Sequence, residues 1–332
     1  MTMSSEISMK AVVTGGAGFI GSHLVEKLLT DGAEITVIDN FSTGRIENIA
    51  EFNSDINLIE ADLALPGDWQ NSICNADVVF HLASLADIVP SIEHPQLYFS
   101  SNVSSTLNIA EAAKKSSTKV IYAASSSCYG IPDNYPTNES AEIRTEYPYA
   151  LTKRMGEELI LHWGKVYGFP VVSTRFFNVF GTKSRTSGTY GAVFGIFLAQ
   201  KLAGRPYTVV GDGKQTRDFT YVTDIVDGLI QAYKTDISSE VINLGSGNTY
   251  SINYLVELLG GDIIYIPKRP GEPDCTFADI SKAKKILNYQ PKVSFEEGVK
   301  NVLENIDYWK NAPVWTPESI AKATKSWFEE LG

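Results

Sequence analysis

The run KAVVT at residues 10–14 passes directly into TGGAGFIG at residues 14–21, and this junction constrains the fold more than any other feature of the chain. Gly15, Gly18 and Gly21 stand in GxxGxxG spacing. Before them lies an apolar run of strand length. After them, residues 20–29 place Ile20, Leu24, Leu28 and Leu29 on one helical face. A strand that turns this tightly into a helix presents free N–H groups and the positive end of the helix dipole to an anion. The glycines then serve a tight turn, a close backbone approach to a pyrophosphate and close helix–strand packing. Short Val- and Ile-rich runs recur at residues 34–39 (EITVID), 57–61 (NLIEA), 77–82 (DVVFHL), 119–124 (KVIYAA) and 171–175 (VVSTR), with helix-like stretches between them. They are apolar at nearly every position, as burial on both faces demands. The expected fold class is therefore α/β, with a parallel sheet covered on both sides.

Beyond residue 181 the rhythm loosens. Residues 182–190 (TKSRTSGTY) and 211–217 (GDGKQTR) read as loops, while residues 221–233 and 240–245 read as a return to the sheet. Residues 262–267, 281–288 and 294–310 form a smaller α/β unit, with Ser294 and Glu297 spaced as a capping box. The stretch 316–331 offers Ile320, Ala323, Trp327 and Phe328 for burial and reads as a structural helix. The expected division is a nucleotide-binding domain over 1–180, with a return tract near 219–247, interleaved with a mainly substrate-binding domain over 181–332.

Bulk properties narrow the function. A chain of 332 residues, 43% hydrophobic, buries a substantial core. Residues 1–9 (MTMSSEISM) lack the basic and apolar segments of a signal peptide, and no stretch approaches the roughly 20 apolar residues of a membrane span. The net charge of −11, with no Lys/Arg run longer than two, argues against nucleic acid as a partner. Any phosphate site has to be built locally, from a few arginines and helix N-termini. Cys74, Cys128 and Cys275 are scattered, and His23, His81, His94 and His162 show no metal-ligand spacing, so no metal is expected. A cytoplasmic enzyme, with no membrane partner, is the expectation.

Asp39 ends the second apolar run, 18 residues after Gly21. A carboxylate there accepts both hydroxyls of an adenosine ribose and repels a 2′-phosphate, which favours NAD over NADP. Arg45 either softens that preference or is a solvated loop arginine. Tyr149 and Lys153 form a YxxxK pattern early in the helical stretch 149–167, so both share one face. An ammonium beside a phenol favours the phenolate and is expected to lower the tyrosine pKa toward working pH, which makes a base. Ser125, Ser126 and Ser127 follow a strand whose end should lie beside the cofactor. A hydroxyl there can hold a sugar oxygen, although a plain polar loop would look the same. Cys128 reads as a buried strand-end residue.

Together, TGGAGFIGSHL, VIDN, HLAS, SSSCYG, YALTK, RFFNVFG, GDGKQTRDFTYV and RPGEPDCTFADISKA resemble the extended short-chain dehydrogenase/reductase family, in order and from about residue 10 to 308. Within it they are most similar to sugar-nucleotide epimerases and dehydratases. The resemblance implies a Rossmann-type doubly wound sheet with a smaller C-terminal α/β substrate domain. It implies an NAD site formed by Gly15, Gly18, Phe19, Ile20, Gly21, Asp39, Asn40, Ser42, Thr43, Gly44, Asp62, Leu63, Leu82, Ala83, Ser84, Asn102, Tyr149, Lys153 and Phe176. Tyr149 would be the base, Lys153 the group on the nicotinamide ribose and Ser125 the catalytic hydroxyl. The sugar nucleotide would be held by Ala86, Asp87, Ser125, Ser126, Ser127, Tyr149, Asn178, Ala192, Val193, Phe197, Thr208, Arg217, Arg269, Asp274 and Thr276. Of these, the arginines would take the diphosphate, and Ala192 and Val193 the base. Dimers of such proteins pack two helices per subunit, here residues 102–115 and 149–167.

Ser126 and Ser127 are the informative departure. Dehydratases of the family carry an Asp–Glu pair after the catalytic Thr, and decarboxylating relatives a Glu at the second position. Serines cannot perform that proton chemistry near neutral pH. Oxidation and re-reduction at C4 of a nucleotide sugar needs only Tyr149, Ser125 and NAD. The expected activity is thus a C4 epimerase acting on UDP-glucose/UDP-galactose or a UDP-N-acetylhexosamine. Thr276, small where glucose-restricted relatives are bulky, leaves room at the 2-position unless it is a simple filler. Another family oxidoreductase or dehydratase, or a non-catalytic NAD(H) sensor, stays open.

Overall fold

The computed structural model describes residues 9–184 and 192–332. Seven strands form the central sheet: β1 (Lys10–Thr14), β2 (Glu34–Asp39), β3 (Ile56–Glu60), β4 (Val78–His81), β5 (Lys119–Ser125), β6 (Val171–Phe176) and β7 (Glu240–Leu244). Every pairing is parallel, and the order is β7-β6-β5-β4-β1-β2-β3. Four long helices cover it: α1 (Phe19–Thr30), α2 (Ser105–Ala113), α3 (Pro148–Tyr167) and α4 (Val222–Lys234).

The unbroken apolar runs now have their reason. Successive strand residues point to opposite faces. Val13, Val37, Phe80 and Ile121 join Leu24, Leu28, Ile225 and Leu229 in a core beneath α1 and α4. Their neighbours Val12, Ile38, Val79 and Val120 join Ile109, Ala113 and Ile160 in a second core beneath α2 and α3. Strand order reverses between β1 and β4, and at that switch point the carboxyl ends of the strands leave a crevice.

A third core, rich in aromatic rings, lies beyond the sheet's carboxyl edge. Phe180 stacks on Phe194 at 4.6 Å and Phe219 on Phe295 at 5.1 Å between centroids. Around them run the paired strands Asn178–Phe180 with Phe219–Tyr221, and Tyr207–Val210 with Ile263–Ile266. Between these tracts α4 and β7 return to the main sheet.

Several elements break where the sequence reads as continuous. Ser294 caps Phe295–Glu304 by accepting from the Glu297 amide at 3.1 Å, but the helix stops at Asn305 and a 3₁₀ turn, Ile306–Trp309, follows. The terminal stretch divides at Thr324 into Pro317–Ala323 and Lys325–Leu331, and a capping box is formed there by Thr316 and Ser319. Residues 102–115 are not one α-helix either, because a π-helical turn, Ser100–Ser104, precedes α2. Of the loop at 182–190, residues 185–190 lie outside the described residues.

His81, at the end of β4, is 1% exposed. Ala83 N donates to Thr14 Oγ1, so the Thr14 hydroxyl is free to donate to His81 Nδ1 at 2.8 Å. His81 Nε2 then donates to Thr106 Oγ1 at 3.1 Å, which fixes a neutral tautomer. Burial, with the Lys153 charge adding to it, lowers the His81 pKa to about 3. The unfolded chain therefore takes up a proton below about pH 6.5 that the folded one refuses, and stability falls as pH falls through that window. Between pH 6.5 and 5 the wild type should lose roughly 2 kcal/mol more than His81→Asn, as read by denaturant midpoints. Parallel pH dependence of the two proteins would refute this.

Candidate active site

A cavity of about 680 Å³ opens at the switch point and reaches into the aromatic third core. Its first wall is the β1–α1 turn. Gly15 has φ +70°, and a Cβ there would come within 2.8 Å of Ala83 N. A Cβ on Gly21 would overlap the Gly15 carbonyl. The N-cap of α1 is Gly18, with no capping side chain, so the first amides of the helix remain available to a phosphate. Asp39 closes this wall. Its carboxylate accepts from Ala17 N at 3.0 Å and Phe41 N at 2.8 Å, and Gly44 passes where a Cβ would strike it. Burial raises the Asp39 pKa, opposed by these backbone bonds. This donor and acceptor set fits a dinucleotide: bare helix amides for a pyrophosphate, and a carboxylate for a ribose diol.

The second wall is α3 against the end of β5. Tyr149 and Lys153 both line the cavity with Ser125, Ser126 and Ser127. Ser127 Oγ donates to Ser125 Oγ at 2.8 Å, on a 3₁₀ turn that begins at Ser126. Lys153 is 4% exposed, with Nζ 4.7 Å from the Tyr122 ring centroid. Desolvation pulls the Lys153 ammonium down to about 7, against the Glu157 charge that raises it. The Tyr149 phenol is raised, not lowered: desolvation outweighs the hydrogen bond with Ser125. The expected phenolate shift is therefore absent in the protein alone, because burial of the phenol itself outweighs what favours its ionised form.

The third wall carries the arginines. Arg217 and Arg269 converge on Glu272, Arg217 Nη2 donating to Oε1 at 2.9 Å and Arg269 Nη1 lying 3.7 Å from Oε2. Glu272 Oε2 is buried without a hydrogen-bond partner among the described residues. Thr276 Oγ1 donates to Asn178 Oδ1 at 2.6 Å and so orients that amide.

Every residue assigned above to cofactor or substrate lines this cavity except Asn102 and Asp274. Asn102 is 1% exposed and serves as a brace. It accepts from Leu85 N and donates to Leu85 O and Thr152 Oγ1, tying the segment after β4 to α3. The Asp274 side chain faces outward and pairs with Lys268. Sequence reading missed Tyr147, Glu272, Tyr308 and Trp327, which also line the cavity. Glu272 lay within the quoted RPGE run and had a signal. Tyr308 and Trp327 had none, since they read as apolar positions of amphipathic helices. Cys128 is buried, and burial pushes its thiol up to about 12. Among the described residues no cluster of His, Cys, Asp or Glu could hold a metal, and no helix is long and apolar enough to cross a membrane.

Known proteins agree with this geometry. A family model described as the NAD dependent epimerase/dehydratase family matches residues 11–245. A putative UDP-glucose 4-epimerase of Methanocaldococcus jannaschii is 35% identical, over 90% of this chain and 98% of its own. UDP-glucuronic acid decarboxylase 1 of Xenopus tropicalis is 34% identical, over 91% of this chain and 73% of its own. The structure of UDP-glucuronic acid 4-epimerase from Bacillus cereus, in complex with UDP-glucuronic acid and NAD, superposes with a TM-score of 0.82. It is 34% identical and covers 91% of this chain and 99% of its own. With the glycine turn, the Asp39 carboxylate and the Tyr149–Lys153 pair on one cavity, the chain belongs to the NAD-dependent epimerase/dehydratase family of the extended short-chain dehydrogenase/reductases, and its cofactor is NAD.

Proposed function

We propose that this enzyme inverts C4 of a UDP-sugar through a 4-keto intermediate. One observation carries the reading. The turn after Ser125 presents two further serines to the cavity, where elimination or decarboxylation would need a carboxyl group. Relatives include decarboxylases as well as epimerases, and this turn favours the epimerase side.

Gly15, Gly18, Asp39, Lys153 and the amides of α1 hold NAD, which supplies the hydride acceptor and donor. Tyr149 takes the proton of the 4-hydroxyl and later returns it, and Ser125 steadies the same oxygen by hydrogen bonding. Arg217 and Arg269 hold the diphosphate, so the keto sugar can turn over without leaving. Glu272 Oε2, which has no hydrogen-bond partner among the described residues, accepts a hydroxyl of the nucleotide ribose. Thr276 and Asn178 border the sugar. The exposed apolar side chains Leu97, Phe99, Leu151, Val166 and Tyr167, three of them on α3, support a homodimer that packs this helix against its copy.

Incubation with UDP-glucose, UDP-N-acetylglucosamine and UDP-glucuronic acid in turn, followed by proton NMR and NADH absorbance, tests the proposal. Inversion at C4 of at least one sugar, without net NADH, is expected. Loss of carbon dioxide, or steady NADH release, would replace it with a decarboxylase or a dehydrogenase.

A further inference from the structure

The last helix carries one buried side chain, and it reaches the cavity. Trp327, on Lys325–Leu331, is 3% exposed and lines the wall beside Arg269. Its Nε1 donates to the Pro270 carbonyl at 2.8 Å, and its ring faces the Arg269 guanidinium, whose carbon lies 5.4 Å from the ring centroid. The same ring meets Tyr147 at 6.4 Å between centroids. Tyr147 in turn lies 6.4 Å from Tyr149, with the two ring planes 8° apart. The helix packs on Ile88–Glu93, where Ser326 Oγ donates to Glu93 Oε1 at 3.0 Å.

One residue near the chain end thus touches the loop bearing Arg269 and the aromatic wall beside Tyr149, while its helix braces the segment after Asp87. A helix of seven residues has little stability of its own. Its docking and the placement of the Arg269 loop are therefore set by the same indole. A guanidinium held against a ring face and over a pinned loop loses little freedom when an anion arrives, and such preorganisation tightens binding.

We infer that Trp327 is a positioning residue for the diphosphate end of the substrate, acting on Arg269 through its ring face and through Pro270. The inference rests on the UDP-sugar reading of the cavity. It is tested on full-length, NAD-loaded protein by calorimetric titration of UDP, together with steady-state kinetics on the sugar the enzyme inverts. Trp327→Leu should weaken UDP about tenfold and raise KM by a similar factor, with kcat shifting less than about threefold. NAD content should not change. Trp327→Phe, which keeps a ring face but no N–H, should fall between the two.

Equal UDP affinity in wild type and Trp327→Leu would overturn the inference and leave the UDP-sugar reading standing. A wild type that binds no UDP would overturn both. If the leucine variant fails to fold, a double-mutant cycle decides. Trp327→Phe should weaken UDP about threefold in the wild-type background and have no measurable effect alongside Arg269→Gln. Additive losses would show that the indole acts on UDP binding independently of Arg269 and overturn the inference.

Discussion

A Tyr149→Phe enzyme will retain NAD and the sugar nucleotide but turn over about 10²- to 10⁴-fold more slowly, the span that a positioned acid–base group supplies. The substitution removes one oxygen. The ring keeps its packing beside Tyr147, and Lys153, Asp39 and the glycine turn are untouched. Binding should therefore survive where chemistry does not, which separates this residue from one that merely shapes the cavity. The pH dependence carries a second signature. The phenol is raised by desolvation in the protein alone, so the fraction ready to take a proton grows as pH rises. The wild-type rate should climb on the alkaline side until the tyrosine titrates, and the residual rate of the variant should lack that limb. Single-turnover oxidation followed at 340 nm, with NAD occupancy measured on the same samples, reads both quantities. A phenylalanine enzyme with near-normal turnover would mean that another group is the base.

The parts of this enzyme that follow from local sequence were legible, and those set by distant packing were not. β1, the glycine turn and the opening of α1 are contiguous, so the single stretch 10–21 specifies backbone shape, helix polarity and anion site together. The parallel sheet was equally visible, because strands buried on both faces carry few polar positions. Tyr149 and Lys153 were placed by helical spacing alone. Their protonation was not, since it depends on how completely β5, α2 and α3 exclude water around Lys153. Asn102 shows the same limit. Its place in the order of motifs suggested the cofactor, but the π-helical turn aims its amide at Leu85 and Thr152. Asp274 is turned outward by the pairing of its own backbone with Thr216, and no spacing rule carries that information. Trp327 is the opposite case, a residue that reads as ordinary helix filler and becomes functional only because the chain end folds back over the Arg269 loop.

Glu157→Ala should destabilise the fold by about 3–5 kcal/mol, the cost of leaving a buried ionic partner uncompensated. Glu157 lies one turn beyond Lys153 on α3 and is 1% exposed, while Arg175 on β6 is 2% exposed. The pair is bidentate: Arg175 Nη2 reaches Glu157 Oε1 at 2.7 Å and Nε reaches Oε2 at 3.0 Å. Ser173 Oγ donates to Oε2 at 2.8 Å and Arg154 Nη1 to Oε1 at 2.6 Å, so the carboxylate meets four donors. Arg175 continues to Tyr129, whose hydroxyl donates to Asn243 on β7 at 2.7 Å. The network thus ties α3 to β6 and β7 behind the catalytic wall. Burial raises the Glu157 pKa, but the bonds and charges of Arg175, Ser173 and Arg154 outweigh it and hold the carboxyl below its ordinary value. The unfolded glutamate titrates near 4.3, so this contribution is present above that pH and is lost only as pH falls through the lower folded value. Denaturant midpoints at pH 7 measure the effect. Glu157→Leu combined with Arg175→Met should recover much of it, because removing both charges also removes the unpaired guanidinium. If the alanine variant were as stable as the wild type, water would have to reach Arg175, and the region behind Lys153 could not be as closed as the burial of both side chains implies.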